Sequence, residues 1–348
     1  MIETREAFEG FAVETVEGLI FTVKGLVHPP DRVIAYLRYL PDSRGDRERD
    51  GTPYRRVYHF GEQQEILARY PAYLSHDPAF GTRLQGVPWP RVRQVYDPRR
   101  RLGSIRERGP ADPVEEHALE LADLLRETAR VPAGNLGVTG SVLVGLHRGD
   151  SDIDLVVTGE AACRAVHQAL RRLLDDPSSP VRRPNPEELE ALHAAHRPDT
   201  PLSLADFSRL QNRKVNEGRF RGRECFFRFV KQPAEVEERY GDPRFEPSGP
   251  ARIQARVTDD GDAAVVERDG IFTPCRYAIE AVTFLEGTPV DDLREIVSFR
   301  GRFSEQVRAG ERAIARGSLE QVIPRSGPAH HRLVVGGQVG DYLISNDQ

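Results

Sequence analysis

The chain has 348 residues, of which 39% are hydrophobic and 30% are charged, and its formal net charge is −5 at pH 7. A small negative charge gives no global attraction to nucleic acid, so any such binding would require a local basic patch. A chain of this length exceeds one ordinary hydrophobic core and predicts two or three domains.

The cysteines indicate a reducing compartment. Cys163, Cys225 and Cys275 are far apart and form no Cys-x-x-Cys pair, which argues against structural disulfides and against a cysteine-based zinc site. The first residues carry no signal-peptide pattern, and no apolar run approaches the length of a membrane span. We therefore expect a cytoplasmic protein that does not contact a membrane.

The first third of the chain has the pattern of a β-rich domain. Runs at 11–15, 19–24, 32–40 and 54–60 have strand-like composition and are separated by turn-forming residues. A proline-rich connection follows, and after it comes the most basic stretch of the sequence. We assign residues 1–110 to a β-rich N-terminal domain with a basic linker.

Arginines in and beyond this linker are candidates for nucleic-acid binding. Trp89 and Tyr96 lie near several of them, and guanidinium groups beside aromatic rings suit a phosphate backbone or an unstacked base. A solvated linker in an arginine-rich protein is the alternative. The arginines assigned to a nucleic acid are Arg93, Arg99, Arg100, Arg101 and Arg221.

A helix, a short strand and a turn come next. Asp112 followed by Pro113 is typical of a helix start, because an acidic side chain can cap the first turn and proline is favoured there. The helix is predicted to end near Arg130, and residues 135–139 to form a strand. This strand enters a turn of small residues at Gly140 and Ser141.

The turn is followed by two closely spaced carboxylates. Ten residues separate Ser141 from Asp152-Ile153-Asp154, which opens an apolar, β-branched run typical of a strand. Alternation places Asp152 and Asp154 on one face, where they repel each other unless a cation neutralises them. Hard oxygen ligands at that spacing suit Mg²⁺ or Mn²⁺. Aspartates of a turn and of a solvated strand end are the alternative, although aspartate is disfavoured in strands.

This stretch resembles the signature of the DNA polymerase beta-type nucleotidyltransferase superfamily, in which Gly-Ser is followed, after a spacer, by Asp-hydrophobic-Asp-hydrophobic. The resemblance covers this segment only. It implies that Gly140 and Ser141 hold the phosphates of the incoming nucleotide and that Asp152 and Asp154 hold the metal ions.

The same superfamily usually carries a third carboxylate on a later strand. Glu224, in the predicted strand 223–230, is the best-placed residue for this role as a metal ligand. Because Arg223 precedes it, a Glu-Arg surface pair is an equal alternative.

The remainder of the chain predicts a second β-rich region. Short strands, at 251–257, 263–267 and further on, are separated by Gly, Asp and Pro, a spacing that favours a small antiparallel sheet or barrel. The predicted fold class is therefore α+β. A central polymerase beta-like nucleotidyltransferase domain, 111–235, is flanked by β-rich domains, 1–110 and 250–348.

The predicted function is a metal-dependent nucleotidyltransferase. It would transfer a nucleoside monophosphate from an NTP or dNTP to an acceptor hydroxyl, with DNA or RNA favoured as acceptor, as in DNA repair or RNA end processing. One alternative is a metal-dependent nuclease acting on DNA or RNA ends. Another is a nucleic-acid-binding protein that has lost catalytic activity.

Overall fold

A computed structural model describes residues 6–196, 202–259 and 271–346. Among these residues strands account for 38% and helices for 28%, and the strands form three sheets, one of which closes on itself. The α+β fold with a central nucleotidyltransferase domain between β-rich flanks is therefore wrong, because the chain is mostly β. The sequence prediction gave the helices of the middle segment too much weight.

The first sheet explains the alternating pattern near the N-terminus. It has eight strands, in the order β4-β5-β3-β2-β1-β8, with β7 pairing with both β3 and β6. Val13, Phe21 and Leu37 are fully buried in its core. The strands are β1 (Ala12–Thr15), β2 (Ile20–Val23), β3 (Arg32–Pro41), β4 (Arg47–Arg49), β5 (Thr52–Arg56), β6 (Leu74–Asp77), β7 (Thr82–Pro88) and β8 (Val92–Tyr96). The helices of this part of the chain are α1 (Phe60–Leu67) and α2 (Pro98–Arg108).

The second sheet holds the acidic motif on a central strand. Its five strands lie in the order β11-β12-β13-β10-β9, and β10 pairs parallel with β13 and antiparallel with β9. The apolar run of β10 is buried because helices α3 and α5 pack against this strand. The elements are α3 (Pro113–Ala129), β9 (Leu136–Val138), α4 (Gly140–Leu143), β10 (Ile153–Thr158), α5 (Glu160–Asp175), β11 (Val181–Arg182), β12 (Glu217–Phe220) and β13 (Arg223–Val230).

Helix α3 begins where the sequence predicts. The Asp112 side chain accepts hydrogen bonds from the backbone N–H groups of Val114 and Glu115, and Pro113 occupies the first helical position. These bonds satisfy two of the donors that a helix leaves open at its start.

The third sheet contains six strands in the order β14-β15-β16-β18-β17-β19, and an additional pairing between β14 and β17 closes it. Tyr277, Phe303 and Leu319 are among its buried core residues. The predicted strand at 263–267 lies outside the described residues. The elements are α6 (Pro186–His196), α7 (Leu204–Arg213), β14 (Arg244–Asp259), β15 (Cys275–Glu286), β16 (Leu293–Ser298), β17 (Arg312–Ile323), β18 (His330–Val334) and β19 (Tyr342–Ser345).

The chain divides into two compact units. The first runs to Asp77 and includes 83–182 and 218–240, so it contains the first two sheets. The second includes 78–82, 183–217 and the chain from Gly241 onward, with the third sheet. The three domains proposed from the sequence stay a prediction. Of the described helices, none combines the length and the apolar character that crossing a membrane requires.

Candidate functional site

Asp152 and Asp154 lie at the start of β10, on either side of the buried residue Ile153. Both carboxylates are partly buried, and they line one cleft of the first unit together with Gly140 and Ser141. The structure thus brings together the four residues that the signature implicates. Within the described parts of the chain, neither carboxylate has an ion-pair partner within 4 Å.

The cleft is small, with a cavity volume of about 40 Å³. One buried water needs roughly 10 to 15 Å³ by this measure. A cation with some of its water therefore fits inside, whereas most of a nucleotide would have to lie at the open mouth.

Gly140 is in direct contact with Asp154. Its φ is +63°, and a Cβ at this position would lie 2.0 Å from Oδ2 of Asp154. The neighbouring Thr139 donates its backbone N–H to the carbonyl of Asp154 at 2.8 Å. Glycine is required here because the backbone is left-handed and passes directly beside the carboxylate.

Ser141 contributes a buried hydroxyl. The residue is 4% exposed, and its Oγ has no hydrogen-bond partner among the described residues. A buried polar atom without a partner costs about 1 to 3 kcal/mol. Since Ser141 lines the cleft, an oxygen-rich ligand could satisfy its hydroxyl.

The electrostatics of the cleft centre on Asp154. Burial, followed by the charge of Asp152, raises the pKa of Asp154 to about 7, while Arg228, Arg56 and Arg38 act in the opposite direction. The ionised carboxylate is therefore unfavourable without a further positive charge. A divalent cation between the two aspartates would supply that charge.

Two arginines position the backbone around the cleft. Arg223 donates to the carbonyl oxygens of Gly149 at 2.7 Å and Ser151 at 3.1 Å, which fixes the turn before Asp152. Arg101 donates from Nε to the carbonyl of Val142 at 3.1 Å and so supports α4. The sequence analysis assigns Arg101 to nucleic-acid binding and takes Arg223 as an argument against Glu224 as a metal ligand. It predicts neither of these positioning roles.

Glu224 lies beside Asp152 in the sheet. The register pairs Ile153 with Cys225, and therefore places Glu224 next to Asp152 on the same face. Its side chain is 52% exposed and lies 3.2 Å from Arg219. The surface ion pair is thus observed, with Arg219 as the partner, whereas Glu224 is not among the residues that line the cleft, and its role as third carboxylate stays a prediction.

We expect Glu224→Gln to weaken Mn²⁺ binding by less than about tenfold, because an exposed carboxylate paired with an arginine contributes modestly. Glu120→Gln is the matched control, since Glu120 is also exposed and pairs with Arg221 at 3.2 Å. Isothermal titration with Mn²⁺ would measure both variants. A loss of a hundredfold or more in Glu224→Gln alone would establish Glu224 as a principal ligand.

Most of the arginines assigned to nucleic acid have acidic partners. Arg100 is exposed, and the other four pair with carboxylates of the same unit. The pairs are Arg93 with Glu14, Arg99 with Asp97 at 3.1 Å, Arg101 with Glu115 at 2.9 Å and Arg221 with Glu120 at 3.2 Å. Their charges are thus locally compensated, and nucleic-acid binding by this set stays a prediction.

A second cluster of potential metal ligands was not predicted. Asp112, Glu115 and His147 present ligand atoms within 4.8 Å of one another. However, Glu115 already accepts hydrogen bonds from Arg101 and Arg108, and Asp112 caps α3 and lies 2.8 Å from His147. Two guanidinium groups on one carboxylate disfavour a cation there, so the aspartate pair is the better metal site.

Comparison with known proteins shows a relative that is similar over nearly the whole chain. The chain is 30% identical to the uncharacterized protein MJ1086 of Methanocaldococcus jannaschii over 334 residues, which is 93% of this chain and 94% of that protein. Neither a family model nor a solved structure matches the chain.

Proposed function

We propose that this chain, which belongs to the same family as the Methanocaldococcus jannaschii protein MJ1086, is a metal-dependent nucleotidyltransferase of the polymerase beta superfamily. The observation that carries the proposal is the cleft in which Gly140, Ser141, Asp152 and Asp154 meet. This arrangement combines a pair of carboxylates with an unsatisfied buried hydroxyl, as a metal-bound phosphate would require.

Asp152 and Asp154 are the residues that would hold Mg²⁺ or Mn²⁺, with Glu224 as the predicted third ligand. Carboxylate oxygens are the preferred ligands of both ions, and the raised pKa of Asp154 indicates a site that favours added positive charge. When bound, the metal would supply charge neutralisation and acidification of the attacking hydroxyl.

The turn has the complementary role of holding phosphate oxygens. The Ser141 hydroxyl is buried and available as a donor, and the lack of a side chain at Gly140 allows a close approach to Asp154. In this proposal Ser141 orients the triphosphate, so that the α-phosphorus faces the acceptor hydroxyl and pyrophosphate leaves on the opposite side. Helix α4 has only four residues, so its dipole contributes little.

In this proposal the acceptor is a hydroxyl group at the end of a DNA or RNA strand. Among the arginines assigned to nucleic acid, exposed Arg100 is the best placed to meet a phosphate backbone. The ion pairs of the other four arginines keep their affinity for such a backbone low.

Transfer can be tested with each α-labelled NTP and dNTP, Mg²⁺ or Mn²⁺, and DNA, RNA or protein acceptors. We expect label to appear on one acceptor class, with pyrophosphate released and with no transfer when EDTA is added. Asp152→Asn should reduce this transfer by at least about a thousandfold. Shortening of labelled oligonucleotides without nucleotide addition would instead favour the nuclease alternative. Absence of both reactions, together with absence of Mn²⁺ binding, would refute the proposal.

A further inference from the structure

We propose that Arg38 and Arg56, from the first sheet, bind the triphosphate of the nucleotide. This inference rests on the proposed function and adds to it a specificity determinant outside the signature motif. It makes the N-terminal sheet part of the active cleft and predicts a preference for triphosphates over shorter phosphate chains.

Both arginines line the cleft that contains Asp152 and Asp154. Arg38 lies on β3 and Arg56 ends β5, and these strands pair so that Tyr39 is opposite Arg56. Alternation along β3 points Arg38 and Tyr39 to opposite faces, so the register alone does not join the two arginines; it is the lining of the cleft that shows both of them beside the aspartates.

The charges of these arginines are poorly satisfied within the protein. Arg38 donates to the carbonyl of Val57 at 3.4 Å, a long hydrogen bond, and Nε of Arg56 is buried without a partner in the described part of the chain. Neither has a carboxylate within 4 Å among the described residues. Both residues are half-buried, and the buried Nε donor of Arg56 lacks a partner, a cost that an anion in the cleft would remove.

The guanidinium groups are held together by an aromatic ring. Arg56 lies over the ring of Tyr58 at 4.7 Å and Arg38 at 5.6 Å. Burial, and then repulsion from Arg56, lowers the pKa of Arg38. Two like charges kept close in this way form a preorganised site for a group that carries several negative charges.

The charge balance of the cleft favours a triphosphate. Asp152 and Asp154 balance Arg38 and Arg56, while Glu224 is paired with Arg219 and Arg228 with Glu9. Two divalent cations would therefore leave about four uncompensated positive charges, which a triphosphate at neutral pH approximately matches. A diphosphate or a monophosphate would leave a positive excess.

The test measures metal binding and anion binding separately. Wild type, Arg38→Ala, Arg56→Ala and the double variant would be titrated with Mn²⁺ alone, and then with tripolyphosphate and with α,β-methylene nucleotide analogues in saturating Mn²⁺. Arg55→Ala is the matched control, because Arg55 precedes Arg56 on β5, is held by Asp42 at 3.0 Å and does not line the cleft.

We expect each single variant to lose about tenfold or more in affinity for tripolyphosphate and for the analogues, and the double variant to lose more. Affinity for Mn²⁺ should be unchanged or higher, because a repelling charge has been removed. Arg56→Lys should retain part of the binding, and Arg55→Ala should match wild type.

Variants that bind the anions as tightly as wild type would overturn the inference and leave the proposed function intact. A wild-type chain that binds neither Mn²⁺ nor any analogue would overturn both. Arginine-dependent binding of the anions would support the inference, and the transfer assay with labelled nucleotides then decides the proposed function separately.

Discussion

Asp154→Asn should abolish Mn²⁺ binding at the cleft and reduce nucleotidyl transfer by at least about a thousandfold, because a central ligand is lost. The same substitution should stabilise the folded protein above pH 7. The reason is that Asp154 is partly buried beside Asp152, and these two effects outweigh the opposing charges of Arg228, Arg56 and Arg38.

The pH dependence of stability follows from the raised pKa of Asp154. Its folded value is about 7, whereas an aspartate in an unfolded chain has a pKa of about 3.9. Between these pH values the folded state binds more protons than the unfolded state, so wild-type stability falls as pH rises through this window. Below this window Asp154 is protonated in both states and does not destabilise the folded protein. Above it Asp154 is ionised in both states, and the loss of stability is constant. Asparagine does not titrate, and the variant should gain about 1 to 3 kcal/mol over wild type at pH 8.

Urea denaturation of both proteins at pH 4 and pH 8, with and without Mn²⁺, would measure these effects. Mn²⁺ should stabilise wild type at pH 8 by mass action and leave the variant unchanged. Asp150→Asn is the control, because Asp150 is exposed, pairs with Arg148 at 2.7 Å and lies in the turn before Asp152. Near wild-type turnover in Asp154→Asn would remove this residue from the catalytic site.

The core of this site was accessible from the sequence because it depends on local rules. A period of two places Asp152 and Asp154 on one face, and small residues indicate the turn at Gly140 and Ser141. The structure places these four residues at one cleft.

The rest of the site depends on contacts between distant parts of the chain. Arg38 and Arg56 precede the motif by a long stretch of sequence, and only the packing of the first unit brings them to the aspartates. The ion pairs of Arg93 and Arg221 are likewise tertiary. A cluster of arginines in the sequence therefore overstated the positive charge on the surface. The fold class failed for a related reason, because the three sheets are formed by pairing of strands that are distant in sequence, which local patterns do not predict.

Gly140→Ala should remove most Mn²⁺ binding and transfer while leaving the protein folded. The added methyl group would lie 2.0 Å from Oδ2 of Asp154, so the carboxylate must move, and a displacement of about 1 Å at a catalytic group can cost about a hundredfold in rate. The left-handed backbone adds a conformational cost of about 1 to 2 kcal/mol for alanine.

Gly145→Ala separates the displacement of the Asp154 carboxylate from the conformational cost of alanine in a left-handed backbone. Gly145 also has a positive φ, +67°, but a Cβ there would meet its nearest neighbour, Cδ of the Arg49 side chain, at an ordinary 3.6 Å. Both variants should therefore lose similar stability in urea titrations, since both carry the backbone cost. Only Gly140→Ala should lose Mn²⁺ affinity, by about tenfold or more, because only there does the methyl group displace a ligand. Equal Mn²⁺ affinity in the two variants would show that Asp154 does not need its position beside Gly140 to bind metal.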